Sequence, residues 1–206
     1  MAKKRKPAEV RLASDKRAHV MREIVETLLF VGLIVLIVQF AIRPVRVVDD
    51  SMKPHLFPNQ LVIVNHAAYL LAGPSRGDVV VYYDPTNPNL ESLGRVIAVP
   101  GDTISISIST VTVNGVVLNE TYLQSTQVGQ LNEGVVPKTK LGNNRYFIMF
   151  DNRAFQGSNC QIQSCDSRIS GPIPRQNILG RAVLVFWPFS QLGGISNYSD
   201  VFQNVH

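Results

Sequence analysis

From Thr27 to Ile42 the chain reads TLLFVGLIVLIVQFAI, sixteen residues without a charge; reaching back to Ile24 makes nineteen, with one acid, Glu26. No polar face interrupts the run between Leu28 and Val38, which argues against the buried helix of a soluble core. A membrane-spanning helix needs about 20 mostly apolar residues, and this run fits the short end of that range. Beyond residue 43 the pattern changes to short stretches rich in β-branched and aromatic residues: 61–66, 78–83, 95–99, 103–109, 110–113, 115–119, 145–150 and 181–187. Such stretches predict strands. Turn formers separate them, at Gly73-Pro74, Arg76-Gly77-Asp78, Pro100-Gly101-Asp102 and Gly142-Asn143-Asn144. Asn114-Gly115, between TVTV and VVL, is the strongest hairpin signal. No stretch after residue 43 holds a helical period over ten residues. The pattern predicts a single N-terminal transmembrane helix followed by an all-β domain.

Charge sharpens this picture. The formal net charge is +5, which by itself suggests nucleic acid. Residues 1–23, however, hold eight bases and three acids, while the remaining 183 residues hold twelve of each. The excess lies on one arm and the body is neutral, so a basic face built by the fold is not expected, and no nucleic-acid role. Basic residues stay on the cytoplasmic side of a membrane. The expected layout is a cytoplasmic arm (1–23), an anchor (24–42), an extracytoplasmic β domain (43–188) and a C-terminal tail (189–206). A cleaved leader would end in small residues, whereas this run ends in FAIRPVR. Cys160 and Cys165 then face an oxidising compartment, as a short loop staple or as two free thiols. A zinc site needs four ligands, and His19, His55, His66 and His206 are too scattered to supply them; no metal site is expected.

Four stretches carry a resemblance that periodicity does not give. They are Asp50-Ser51-Met52-Lys53-Pro54, then 76–82 (RGDVVVY), then 94–102 (GRVIAVPGD), then Asp151-Asn152-Arg153 continued by 164–168 (SCDSR). A closing strand, 177–188, follows. In this order behind an anchor, they resemble the boxes of the type I signal peptidases, over residues 24–188. The resemblance implies a plasma-membrane serine endopeptidase of the signal-peptidase fold, without metal or cofactor. It would remove signal peptides from exported preproteins after small residues. Ser51 takes the place of the nucleophile, whose backbone N–H also serves the oxyanion. Ser164 takes the place of the serine that orients the base, and Asp166 and Arg168 that of a supporting ion pair. Leu56 and Leu93 stand where the family lines the pocket for the residue before the cut; ordinary core leucines would read the same way. Phe186, Trp187 and Phe189 suit a domain that dips into the lipid interface.

The chain also departs from the family pattern. A serine hydroxyl needs a base; this family uses a lysine immediately before the arginine of the third box, and here that position is Gly94. The glycine that precedes Asp-Asn-Arg in the family is Phe150, and we expect its ring to fill the volume that the lysine vacates. Asp49 stands where glycine or serine is common, and a carboxylate there opposes a developing oxyanion. His55, four residues after Ser51, is the candidate substitute base. Arg153 and Ser164 are separated by an insertion containing Cys160, which a Cys160–Cys165 bridge would tie to the last box.

Two functions follow from these features: a signal peptidase with a base other than lysine, or a degenerate member that binds preproteins or a second signal peptidase without cutting. A self-cleaving serine–lysine regulator is disfavoured, because such proteins carry DNA-binding domains rather than anchors.

Overall fold

The computed structural model describes residues 8–123, 135–155, 160 and 162–206. Helix α1 spans Ala8–Ala41, and its stretch His19–Ala41, 23 residues, is long and apolar enough to cross a membrane. It begins well before the apolar run, since residues 8–23 are rich in alanine, arginine and glutamate, all good helix formers. Arg22 and Glu26 add an ion pair one turn apart at 2.7 Å. The helix ends at Ala41, ahead of Arg43-Pro44, where a following proline disfavours helical geometry. Helix α1 and the body from Ile42 to His206 are two separate compact units.

The body is built on strands, as expected. They are β1 (Ile42–Arg46), β2 (Leu61–Asn65), β3 (Val79–Asp84), β4 (Asn87–Ala98), β5 (Thr103–Ile106), β6 (Val111–Val113), β7 (Val116–Val117), β8 (Val136–Lys140), β9 (Arg145–Met149), β10 (Ile173–Pro174), β11 (Ile178–Trp187) and β12 (Gly193–Gly194). One short helix, α2 (Ser167–Ser170), is capped by the Asp166 side chain. The larger sheet runs β1-β2-β11-β3-β4-β9-β10, with β12 also pairing β11, and the smaller runs β7-β6-β5-β8. The predicted hairpin is present. Asn114 (φ 52°) and Gly115 (φ 84°) both adopt left-handed backbone between paired β6 and β7, as a two-residue hairpin turn demands.

Four strands are absent from the sequence pattern, β1, β8, β10 and β12; the first three each contain a proline (Pro44, Pro137, Pro174) and lie at sheet edges, the place where a strand tolerates a missing N–H. Strand β4 begins eight residues earlier than the apolar pattern indicated, because NPNLES reads as a turn yet pairs along β3. Among the described residues, three apolar clusters hold the body together. One joins the two sheets through Ile97, Ile104, Val113, Phe147 and Met149, and takes in Phe202 and Val205 from the stretch assigned to a tail. A second gathers Val47, Met52, Leu56, Val81, Leu93 and Phe150. The third, containing Val80, Tyr82, Val96 and Ile148, forms around other faces of β3, β4 and β9.

Candidate active site

Ser51 lies in a loop that leaves β1 and returns to β2. Two backbone bonds close the neck, Val47 N–H to Gln60 C=O at 2.9 Å and Asn59 N–H to Val47 C=O at 2.8 Å. Inside the loop, Met52 and Leu56 are fully buried in the second cluster and fix the turn from below. Asn152 fixes it from the side: its N–H donates to the Ser51 carbonyl at 2.8 Å and its side-chain amide to the Asp50 carbonyl at 3.0 Å. Ser51 itself is 2% exposed. Its backbone N–H donates to Asp49 Oδ1 at 3.0 Å.

A buried charge network stands behind the serine. Arg95 donates to both oxygens of Asp151, at 2.8 and 2.6 Å, and to the carbonyls of Gly77 and Ser196, each at 2.8 Å. Its guanidinium lies against the rings of Tyr122 and Tyr198, 4.8 and 5.1 Å from their centroids, and the two rings stack on each other at 5.3 Å. Burial pushes the Asp151 carboxyl up, but Arg95, with help from His55, outweighs this and holds it at about 2. His55 Nδ1 lies 3.0 Å from Asp151 Oδ2, and the ring packs against Tyr122 and Tyr198. His55 is therefore committed to Asp151 and makes no hydrogen bond to Ser51. Arg153 pairs with Glu120 and receives support from the Tyr122 hydroxyl at 3.0 Å. Asp166 and Arg168 form a two-pronged ion pair, and Asp166 also accepts the Phe150 N–H at 3.0 Å, which locks the last box onto the end of β9. Cys160 and Cys165 are disulfide-bonded, beside Ser164.

At Gly94 a side chain has no room. A Cβ there would lie 2.5 Å from Ile148 Cγ2, 3.2 Å from a Tyr82 ring carbon and 3.4 Å from the Met149 carbonyl. Ile148 and Tyr82, not Phe150, supply the side-chain atoms nearest to that space. Phe150 packs instead with the second cluster and edge-on to Phe155, at 5.7 Å between ring centroids. The expectation that Phe150 fills the lysine's volume is corrected on this point. Gly94 pairs with Val80, so its Cβ direction faces the third cluster, whereas Phe150 lies past the end of β9, where the strand alternation no longer sets its side.

A cleft of about 520 Å³ runs beside the serine loop. One wall is 43–49, the other is Val81, Tyr83 and 88–93, and Ser164 lies in its lining. Leu93 lines it; Leu56 does not, and lies with His55 and Arg95 around a second pocket of about 100 Å³. Both walls carry unpaired backbone. Among the described residues β1 pairs only with β2, and β4 pairs with β3 along 87–95 while β9 joins only from Arg95 onward. Sequence reading did not find Tyr122, Tyr198 and Glu120 as parts of the network; they lie in stretches outside every box, and no local signal marks them.

Residues 20–187 match the family described as signal peptidase, peptidase S26. The chain is 37% identical over 153 residues to a signal peptidase I from Leptolyngbya laminosa, covering 70% of this chain and 68% of that one. It is 31% identical over 166 residues to signal peptidase IB of Staphylococcus aureus, covering 74% and 82% respectively. A crystal structure of a signal peptidase I from Enterococcus faecalis is 27% identical, with a TM-score of 0.41 over 52% of this chain and 95% of that one.

Proposed function

The chain belongs to the signal peptidase family, peptidase S26, and from that premise we propose that it is a membrane-anchored serine endopeptidase of the signal peptidase I type. Its substrates are exported preproteins, which it cuts after small residues on the extracytoplasmic side of the plasma membrane, with the basic N-terminus inside. The cleft carries this reading. An extended peptide laid between two unpaired strand edges completes main-chain hydrogen bonds on both sides, and alternate side chains reach the floor. The floor includes Leu93 and ends at Ser164 and at Asp49, which precedes Ser51 by two residues in the chain. In this role Ser51 is the nucleophile, and Ser164, Asp166 and Arg168 hold the last box beside it. Phe186, Trp187 and Phe189, exposed and stacked edge-on, suit contact with the lipid interface.

Two observations favour a second reading. A Cβ at Gly94 would strike Ile148, and Asp49 occupies the Ser51 N–H. On that reading the protein binds preproteins, or a second signal peptidase, without cutting. The test uses full-length protein in detergent and a preprotein with an Ala-x-Ala site. Cleavage that disappears in Ser51→Ala supports the first reading. Retention of the intact preprotein by an inert wild type supports the second.

A further inference from the structure

The cleft is crossed at the end far from Ser164 by an ion pair. Arg43 Nη1, on β1, lies 3.1 Å from Glu91 Oε1, on β4, and both residues line the cleft. The Tyr83 hydroxyl lies 3.4 Å from the same Glu91 oxygen, within long hydrogen-bonding reach. Alternation along the strands sets what lies between the two ends. Arg43, Val45, Val47 and Asp49 follow at every second position, and Glu91 and Leu93 do the same on the facing wall. Val45, Val47 and Leu93 all pack into the second apolar cluster. The floor is therefore charged at Arg43–Glu91, apolar in the middle, and polar again at Asp49 and Ser164.

Resting on the reading of this cleft as the preprotein site, we infer that the Arg43–Glu91 pair is a specificity-determining bar. Arg43 and Asp49 are six residues apart, about 20 Å of extended chain, so a bound peptide passes the bar with its fifth or sixth residue before the one held at the Ser164 end. The pair is only partly shielded: the Arg43 side chain is 53% exposed and that of Glu91 24%. A large apolar side chain laid over it strips water from both charges and returns no hydrogen bond. A polar side chain, or a small one that leaves water in place, does not. The bar thus rejects the apolar core of a leader and admits the polar stretch after it, so it measures how far the cut falls beyond the apolar run.

The experiment measures binding of fluorescent 12-residue peptides to the full-length protein in detergent. The peptides end in Ala-x-Ala and carry Gln, Ser, Leu or Phe at the fifth and sixth positions before the end. The wild type is compared with Arg43→Leu/Glu91→Leu, with the charge-swapped Arg43→Glu/Glu91→Arg, and with Val45→Trp, which fills the floor. The Gln and Ser peptides are expected to bind wild type about tenfold tighter than the Leu and Phe peptides, the scale of one uncompensated polar burial. The leucine pair erases that preference and the swapped pair keeps it. If Val45→Trp abolishes binding of every peptide while wild type ranks them equally, the bar is refuted and the cleft reading stands. If Val45→Trp changes no affinity, or no peptide binds, the cleft reading falls and the bar with it.

Discussion

The side chain of Asp49 accepts the backbone N–H of Ser51 at 3.0 Å. In an acyl-transfer site that donor should point at the carbonyl oxygen as it becomes negative. Here an anion from the same loop already holds it, and the first step of any attack by Ser51 must displace that carboxylate. Asp49→Gly removes it and leaves the loop neck, Val47 with Asn59 and Gln60, untouched. One oxyanion donor is worth about 10²–10³ in rate. We therefore expect Asp49→Gly to raise phosphonylation of Ser51 by a serine-directed aryl phosphonate probe, which loses its aryloxide as the Oγ–P bond forms, at least tenfold. Mass spectrometry of the labelled peptide measures it, and equal labelling of wild type and variant counts against an occupied N–H.

At Gly94 the structure predicts a packing conflict rather than a simple vacancy. Ile148 is fully buried, and the atom that a Cβ would strike is the Cγ2 methyl on its branched Cβ, where χ1 is stiff and the methyl does not swing away freely. Gly94→Ala should cost about 1–3 kcal/mol by overpacking. Ile148→Ala by itself should cost about 2–5 kcal/mol through the cavity it leaves. Because each change offsets the other, the double variant should be clearly more stable than the sum of the two costs implies, a coupling readable by denaturant unfolding. Strict additivity would refute the contact. It follows that Gly94→Lys with Phe150→Gly should not restore a base, whereas a lysine at 94 needs Ile148 reduced first.

The contrast between Phe150 and Ile148 shows what was legible in the chain. The apolar N-terminal helix, the strand-rich body and the Asn114-Gly115 hairpin are all local patterns, and the structure reproduces each. The family's glycine at position 150 points to Phe150, yet which side chain reaches Gly94 depends on register and on where β9 stops. Those are properties of strand pairs. Tyr122 and Tyr198 around Arg95 are further cases: they approach from distant segments, and only the closed fold makes them neighbours. Edge strands β1 and β8 were hidden because a proline that is harmless at an edge looks like a breaker in a string of residues.

The Cys160–Cys165 bridge ties a short loop, with a sequence separation of five. Loop-closure entropy for a ring this small gives about 2 kcal/mol. Cys165 is fully buried, its carbonyl accepts the Tyr82 hydroxyl at 3.1 Å, and it separates Ser164 from Asp166. Cys160→Ser should therefore lower stability by about 2 kcal/mol, and reducing agent should reproduce that loss in the wild type but add nothing in the variant. Thermal melts with and without reductant check this. An equal effect of reductant on both proteins would place the stabilisation elsewhere.

Asp151 makes acid the condition that most exposes the site. Its carboxyl is held at about 2, below its ordinary 3.8. A depressed carboxylate stabilises the fold above its unfolded value and loses that contribution as pH falls through 3.8 towards 2. A shift of this size corresponds to roughly 2 kcal/mol. The wild type should therefore lose stability in that window, with Arg95 and His55 losing their shared acceptor. Asp151→Asn should be weaker already at neutral pH, by about 3–5 kcal/mol, because Arg95 is left buried without its counter-charge. Its stability should then fall less steeply below pH 4, since it no longer takes up that proton on unfolding. Unfolding in detergent at several pH values separates the two. If the variant keeps the wild-type acid slope, the protonation that unfolds the domain belongs to another carboxylate, and Asp151 is a structural ion pair without a part in the acid response.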